Sequence, residues 1–312
     1  MSQIENRTMP ARRFPLHIVV FILPGALIYA IFMVYPLLAS LLDGFYAPDA
    51  AGAPAFVGIA NFLRLLTDPS WASLFGNALG HSIVVFLINF LIQNPIALLL
   101  ATLLANRTRL SGLYRAVIFA PAVLSLVIVA FVWELILSPL WGVAKSALIA
   151  VGLGAAYHPW LGLPDTSLVT LALISAWQYV GVPMMLYFAA LIAIPDDLIE
   201  AAVIDGAGPW RIFFSVKLPL LLPIVGIVSL LTYIANISAF DVIFAVKGPT
   251  AGPNFASDTL MTLFYRTFFG YEFQQPDPAM GGAIAGMTFL ILMLGVVAYF
   301  FLWQRRVRSY EL

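Results

Sequence analysis

The sequence predicts an all-α polytopic membrane protein with six transmembrane helices and a short helical loop between the fourth and the fifth. Of its 312 residues, 62% are hydrophobic and 10% are charged, a composition that is typical of membrane proteins and excludes a water-soluble enzyme. Six apolar runs meet or nearly meet the ~20 residues that cross ~30 Å of hydrocarbon. They lie in a domain at 14–304, between a polar segment 1–13 and a tail 305–312. The predicted spans are about 14–42, 79–104, 114–137, 166–195, 218–245 and 279–304.

Positive charges are distributed unevenly over the segments that join these spans. Eleven of the fifteen Lys and Arg residues lie in 1–13, in the second loop, in the loop 196–217 or after residue 304. The first, third and fifth loops hold the other four, which are Arg64, Lys145, Lys247 and Arg266. Because loops rich in Lys and Arg stay in the cytoplasm, we predict that both termini and the loop 196–217 are cytoplasmic.

Residues that could carry catalysis or hold a cofactor are missing from the sequence. There are no cysteines, so thiolate metal sites and cysteine nucleophiles are excluded. His17, His81 and His158 are scattered, and neither a G-x-x-x-x-G-K-[ST] phosphate loop nor a G-x-S-x-G elbow occurs. A net charge of zero gives no basic surface for nucleic acid. The sequence therefore predicts a protein that is not an enzyme and holds no metal.

The loop 196–217 is predicted to form a helix, a turn and a second short helix. Asp196 or Asp197 is expected to be the N-cap of the first helix, because a carboxylate there satisfies free backbone N–H groups. Gly206 can adopt the left-handed conformation that ends this helix, and Pro209 is tolerated at the first position of the next. An ordinary amphipathic hairpin at the membrane interface is the alternative interpretation.

The residue spacing in this loop is specific. The triplet Glu-Ala-Ala at 200–202 is followed after three residues by Gly206 and after nine more by Val216, with Leu218 and Pro219 close behind. This pattern resembles the EAA loop of inner-membrane permease subunits of binding-protein-dependent ABC importers, in which isoleucine is preferred at the position of Val216. The flanking sequences ALIAIP and IDGAG resemble the carbohydrate-uptake branch of that family, the relatives of the maltose permease.

The resemblance implies that the loop couples the chain to a separate ATPase. In the family, a dimer of ATP-binding cassette subunits binds ATP and Mg, so no cofactor is expected on this chain itself. Small residues allow the ATPase to approach closely, and Glu200 is expected to face a basic residue of the ATPase. The residues that the resemblance assigns to ATPase coupling are Glu200, Ala201, Ala202, Asp205, Gly206, Ala207, Leu218 and Pro219.

The resemblance also implies the other subunits and the location of the protein. Six spans cannot enclose a pore above two ATPases, so we expect a second and non-identical permease subunit, as is usual in this branch. An extracytoplasmic solute-binding protein is expected to deliver the solute to the first, third and fifth loops. The location would be the cytoplasmic (inner) membrane of a bacterium or an archaeon.

Polar side chains in the fourth and fifth spans are the candidates for the substrate pathway. Polar groups are costly in hydrocarbon and usually face protein or water, and hydroxyls and amides beside aromatic rings suit a sugar. By placement from the EAA loop, Tyr179 and Asn236 fall at sugar-contacting positions of the maltose permease, and only Asn236 keeps the residue type. An alternative of equal weight is that these polar side chains hydrogen-bond between helices and do not contact the solute. The candidates are Ser175, Gln178, Tyr179, Tyr233, Asn236 and Ser238.

Polar and small residues in the other spans are given structural roles. Asn89, Gln93 and Asn94 in the second span are predicted to tie helices together rather than to contact a ligand. Gly282 and Gly286 lie four residues apart in the sixth span and could let a neighbouring helix approach closely.

Three alternative functions stay open. An ABC permease for another polar solute, such as a glycerol phosphate, would have the same loop, although the spans lack the paired Arg or Lys that suits an anion. A secondary transporter driven by an ion gradient would need an ionisable relay at mid-span, and the predicted spans have no Asp, Glu, Lys or Arg near their centres. A purely structural membrane subunit is the third. Glu134 and Asp241, near the outer ends of spans, are predicted to be pore-mouth or docking charges.

Overall fold

The chain is almost entirely helical in the computed structural model, which describes residues 16–49, 51–105, 110–272 and 274–305. The predicted segment 1–13 and almost all of the tail 305–312 lie outside these residues. Within the described residues, the helices are α1 (Leu16–Tyr29), α2 (Tyr35–Asp43), α3 (Ala60–Thr67), α4 (Pro69–Ile88), α5 (Asn94–Ala105), α6 (Ser111–Val123), α7 (Leu126–Leu137), α8 (Val143–Ala150), α9 (Pro164–Tyr179), α10 (Gly181–Ile192), α11 (Asp196–Ile204), α12 (Pro209–Ile212), α13 (Leu218–Ile237), α14 (Asp241–Lys247), α15 (Leu260–Phe269) and α16 (Pro278–Tyr299).

Short segments of other structure connect or extend these helices. Two strands, β1 (Tyr46–Pro48) and β2 (Pro54–Phe56), pair antiparallel after α2. Single 3₁₀ turns are found at Gly154–Ala156, Gly248–Thr250 and Pro253–Phe255. π-Helical turns join α1 to α2, α4 to α5 and α12 to α13, and extend α16; they are Ala30–Val34, Asn89–Gln93, Phe213–Lys217 and Phe300–Gln304.

Four helical segments of the described chain are long and apolar enough to cross a membrane. They are Val20–Asp43, Pro69–Ala105, Pro209–Thr250 and Pro278–Gln304. Two further pairs of consecutive helices are long and apolar enough only when the two helices are taken together. They are α6 with α7, which meet at an angle of 96°, and α9 with α10, which meet at 43°. Counting each bent pair as one span gives six. The prediction of an all-α polytopic membrane protein is confirmed, whereas the number of spans, their bounds and the cytoplasmic placement of the loop 196–217 stay predictions.

The third predicted span, 114–137, is divided into α6 and α7. Pro121 lies in the last turn of α6, where its ring disfavours continuation of a regular helix. Leu124 and Ser125 then adopt extended backbone angles, with ψ of 144° and 131°. The apolar run is continuous across this point, so hydropathy alone does not show the bend, and Pro121 is its only local signal in the sequence.

Four clusters of buried apolar side chains hold the described helices together, and the smallest of them joins α4 to α9. One joins α5, α10 and α13 through residues that include Ala97, Met184, Tyr187 and Leu221. A second joins α7, α9 and α14, and a third joins α4, α13, α15 and α16. The helices on either side of the loop 196–217, α10 and α13, therefore share one core.

A buried ion pair fixes the segment that precedes α15. Arg266 donates to both carboxylate oxygens of Asp258, at 2.7 and 3.1 Å, and to the backbone oxygen of Pro249 at 3.2 Å. Its guanidinium carbon lies 4.4 Å from the ring centroid of Phe255. The backbone oxygen of Asp258 accepts a hydrogen bond from Nδ1 of His81 on α4, at 2.8 Å. This network therefore ties the loop between α14 and α15 to α4.

Gly282 is the point at which α16 comes into backbone contact with the end of α2. A Cβ atom at this position would lie 2.7 Å from the backbone oxygen of Ser40 and would also collide with the backbone of Gly44. We expect Gly282→Ala to destabilise the protein by about 1–3 kcal/mol, because overpacking forces backbone shifts. The measurement is the thermal unfolding midpoint of the purified protein in detergent. Gly25→Ala is the matched control, since nothing lies within 4 Å of a Cβ there; equal midpoints for the two variants would contradict the prediction.

Candidate functional site

A cavity of about 400 Å³ lies between α4, α9, α10, α13 and α14. This volume is within the ~300–1,000 Å³ that small-molecule sites occupy. Side chains predicted from the sequence line it from both sides, and they are Ser175, Tyr179, Asn236 and Ser238. Ser175 and Tyr179 are four residues apart on α9, so they share one face of that helix. The polar groups of the fourth and fifth spans therefore meet at one cavity.

The cavity is also lined by polar residues that are not among the pathway residues predicted from the sequence. Asn89 and Gln93, which the sequence suggested were helix ties, are four residues apart, a spacing that could have indicated a shared face. The side chain of Asn89 donates to the backbone oxygen of Val85 at 2.9 Å, and that of Asn236 donates to the backbone of Thr232 at 2.8 Å. Each amide keeps a second N–H and its oxygen for a ligand. The added lining residues are Asn89, Gln93, Thr232 and Asp241.

Other polar side chains of these helices face their neighbours instead. Gln178, a predicted pathway residue, is 1% exposed and lies outside the lining. Tyr233, also predicted for the pathway, donates through its hydroxyl to the backbone oxygen of Ile291 on α16 at 2.6 Å. Asn94 donates to Oγ1 of Thr232 at 3.0 Å and so ties α5 to α13, as the sequence predicts. α13 therefore contacts its neighbours on one face and the cavity on another.

The loop 196–217 folds as α11 and α12, joined by a tight turn. Gly206 has a φ of +76°, which is the left-handed conformation expected for it. The N–H of Ala207 donates to the backbone oxygen of Ala202 at 2.9 Å and closes the end of α11. Pro209 lies in the first turn of α12, where it was predicted.

The start of α11 differs from the prediction. The N-cap residue is Pro195, with extended backbone angles, and no side chain caps the helix. Asp196 and Asp197 lie inside the first turn, so the prediction that one of them is the N-cap is wrong. Their carboxylates still lie near the positive end of the helix dipole, where negative charge is favourable.

The loop 196–217 presents an open and partly apolar surface, which we call the EAA surface. Ile204 is 85% exposed and Trp210 is 77% exposed, and the ring of Trp210 stacks on that of Phe214. Large apolar side chains that are exposed together mark interaction sites. The residues that the resemblance assigns to coupling are exposed (Glu200, Ala201, Asp205 and Gly206) or half-buried (Ala202, Ala207, Leu218 and Pro219).

The fold and these two sites define a class of protein. A largely apolar cavity into which several polar side chains converge, with an exposed helical loop at one end of the helices around it, is the arrangement of the membrane component of a transporter. Residues 93–308 match the family described as binding-protein-dependent transport system inner membrane component. The chain belongs to that family and is a transport subunit of the inner membrane.

Relatives with similar sequences are named as transport permease proteins. The chain is 30% identical to the lactose transport system permease protein LacF of Rhizobium radiobacter, over 93% of this chain and 94% of that protein. It is 32% identical to the multiple sugar-binding transport system permease protein MsmF of Streptococcus mutans, over 78% and 79%. It is 29% identical to the sn-glycerol-3-phosphate transport system permease protein UgpA of Yersinia pestis, over 92% and 94%.

A solved structure has the same fold. The chain superposes with a TM-score of 0.76 on a bacterial ABC transporter involved in the import of the acidic polysaccharide alginate, over 94% of this chain and 96% of that one. The two are 19% identical, so the similarity concerns the fold alone.

Proposed function

We propose that this chain is the transmembrane permease subunit of an ATP-driven ABC importer, and that it translocates a sugar delivered by an extracytoplasmic binding protein. The sugar is a mono- or oligosaccharide. The observation that carries the proposal is the exposed EAA surface, joined by continuous helix to a cavity lined with amides and hydroxyls. The relatives named for lactose and for multiple sugars support the choice of solute.

The EAA surface is the proposed contact for a dimer of ATP-binding cassette subunits. Ile204 and Trp210 expose apolar area that a binding partner would cover, while Ala201 and Gly206 are small enough for close approach. Glu200 is exposed on the same helix and can pair with a basic residue of the ATPase. ATP and Mg bind to that partner, and this chain binds no cofactor and hydrolyses no ATP.

Helices on both sides of the EAA surface connect it to the cavity. α12 continues through the π-helical turn Phe213–Lys217 into α13, which carries Asn236. With a rise of 1.5 Å per residue, the helix from Pro209 to Asn236 covers roughly 40 Å. α10, which leads into the loop, shares a buried cluster with α13. A rotation of the loop driven by the ATPase is therefore transmitted to the cavity walls.

The complete importer contains a second, non-identical permease subunit that encloses the pore together with this chain. The binding protein docks on the extracytoplasmic loops of the pair. We place the chain in the cytoplasmic membrane of a bacterium or an archaeon, with both termini and the EAA surface in the cytoplasm. The excess of Lys and Arg in the corresponding segments supports this orientation.

A permease for a phosphate-bearing solute is the second candidate, because UgpA is named for sn-glycerol-3-phosphate. Phosphate groups are usually bound by Arg or Lys. The described residues that line the cavity include neither, which favours the sugar.

Uptake by the reconstituted importer tests the proposed function. Vesicles containing ATP, with the binding protein outside, are expected to accumulate the sugar that this binding protein selects from a labelled panel. Vanadate should stop the uptake, and a proton or sodium ionophore should not. Uptake that is insensitive to vanadate but is abolished by an ionophore would instead indicate a secondary transporter and would overturn the proposal.

Asn236 lines the cavity and was predicted from the sequence for the substrate pathway. We expect Asn236→Leu to lower uptake up to about ten-fold, because the loss of one neutral hydrogen bond costs ~0.5–1.5 kcal/mol. The measurement is the initial uptake rate in the same vesicles. Thr288→Val is the control, since this buried hydroxyl donates to the backbone of its own helix, outside the cavity. Equal rates for both variants would contradict a role of Asn236 in the pathway.

A further inference from the structure

The described side chains that line the cavity carry negative charge but no positive charge. Its described residues include one carboxylate, Asp241, and no Lys, Arg or His. Three amide side chains, from Asn89, Gln93 and Asn236, and several hydroxyls provide the rest of its polarity. Besides the apolar side chains that form most of the lining, any solute in the cavity therefore meets neutral hydrogen-bonding groups and a single negative charge.

The charge of Asp241 has no direct partner among the described residues. The ion pair found there joins Arg266 to Asp258 and does not involve Asp241. Lys247 lies at the other end of α14 and outside the lining. The dipole of α14 favours a negative charge at its first residue, but it amounts to about half of an elementary charge at most. The carboxylate of Asp241 therefore acts on whatever enters the cavity.

We propose that Asp241 sets the charge selectivity of this importer: neutral sugars enter the cavity and sugars that bear a carboxylate or a phosphate are repelled. The inference rests on the proposed function and narrows its substrate class. A carboxylate accepts hydrogen bonds from two neighbouring hydroxyls of a sugar. An anionic group would face the like charge of Asp241, which is exposed, so the repulsion is that of a solvent-screened pair of charges.

Because the same fold occurs in importers of different solutes, the side chains that line the cavity must determine whether a charged solute is accepted. The importer for acidic alginate has the same fold at 19% identity. A matched pair of solutes can therefore isolate the effect of Asp241. Glucose and glucuronate differ only in a CH₂OH group that is replaced by a carboxylate, and galactose and galacturonate form a second such pair.

Saturation-transfer NMR on the purified importer tests the proposal. The complex is placed in nanodiscs of zwitterionic lipid without binding protein, so that the cavity alone selects the probes. We expect the neutral sugar of each pair to give a signal about five-fold larger than the uronate, the upper range for an exposed pair of charges. Asp241→Asn should abolish this preference and Asp241→Glu should keep it. Asp165→Asn, which neutralises an exposed carboxylate outside the cavity at the start of α9, should leave the preference unchanged.

The outcomes separate this proposal from the function on which it rests. Equal signals for both members of each pair in the wild type, or a preference that survives in Asp241→Asn, would overturn the role of Asp241 while sugar binding stands. If no sugar of either pair gave a signal, the cavity would not be a sugar site, and the proposed pathway would be overturned together with its selectivity.

Discussion

Replacing Arg266 by methionine is expected to destabilise the protein by about 3–5 kcal/mol, because the mutation leaves the carboxylate of Asp258 buried without its partner. The two side chains are only 5% and 4% exposed. Oγ1 of Thr262 also donates to the carboxylate at 2.7 Å, but a hydroxyl does not neutralise its charge. We expect the variant to show a lower thermal unfolding midpoint in detergent and a smaller inserted fraction in membranes.

Two further variants make the result specific to the buried pair. Arg64→Met removes an exposed cation and should leave the midpoint within the range of ordinary surface changes. Adding Asp258→Asn to Arg266→Met removes the unpaired charge and should recover part of the loss. If Arg266→Met melts at the wild-type temperature, the ion pair does not hold the segment before α15.

Glu200→Lys is expected to reduce ATP-driven uptake at least about ten-fold. The new lysine would face the basic residue of the ATPase that is proposed to pair with Glu200, and two like charges across an interface cost several kcal/mol. The side chain is exposed, so insertion and folding should be unchanged. The measurements are uptake and ATP hydrolysis in the same reconstituted vesicles, and hydrolysis should no longer depend on the binding protein. Asp165→Lys is the control for charge reversal, and equal uptake by the two variants would contradict the coupling role.

The turn after α11 gives a second test of coupling. Gly206 has a φ of +76°, and proline is restricted to about −65°. Gly206→Pro should therefore change the direction in which α12 leaves the turn and uncouple uptake from hydrolysis. Transport at the wild-type rate in this variant would be incompatible with a rigid loop.

Much of the fold follows from local backbone preferences that can be read directly from the sequence. Gly206 and Pro209 predict the turn between α11 and α12, since each has a backbone preference that depends on no other part of the chain. The start of the helix that carries the second predicted span depends on another local preference. This helix begins at Pro69, before the apolar run at 79–104, because the side chain of Asp68 accepts hydrogen bonds from the N–H groups of Ser70 and Trp71, at 3.0 and 3.2 Å. The bend between α6 and α7 follows Pro121, a signal that hydropathy alone does not reveal because the apolar run continues through it.

The candidate site was predictable only in part, because the direction of a polar side chain in a span depends on its neighbours. Ser175 and Asn236 were predicted for the pathway and line the cavity. Tyr233 looked equally suitable, but it lies beside α16, where its hydroxyl donates a hydrogen bond to the backbone oxygen of Ile291. Asn89 was predicted to tie helices together rather than to contact a ligand. It lies at the cavity because α4 packs against α9 and α13.

Photo-crosslinking from position 200 tests most directly the central claim that the EAA surface binds a cytoplasmic ATPase. The chain has no cysteines, so Glu200→Cys gives it a single thiol, which is labelled with a photoreactive maleimide before the chain is assembled with its partners. After illumination of membranes that contain the complete importer, we predict an adduct between this chain and the ATPase subunit, identified by mass spectrometry. Asp165→Cys, on the opposite side, should give none. An adduct of position 200 with the extracytoplasmic binding protein, or none with the ATPase, would contradict the account.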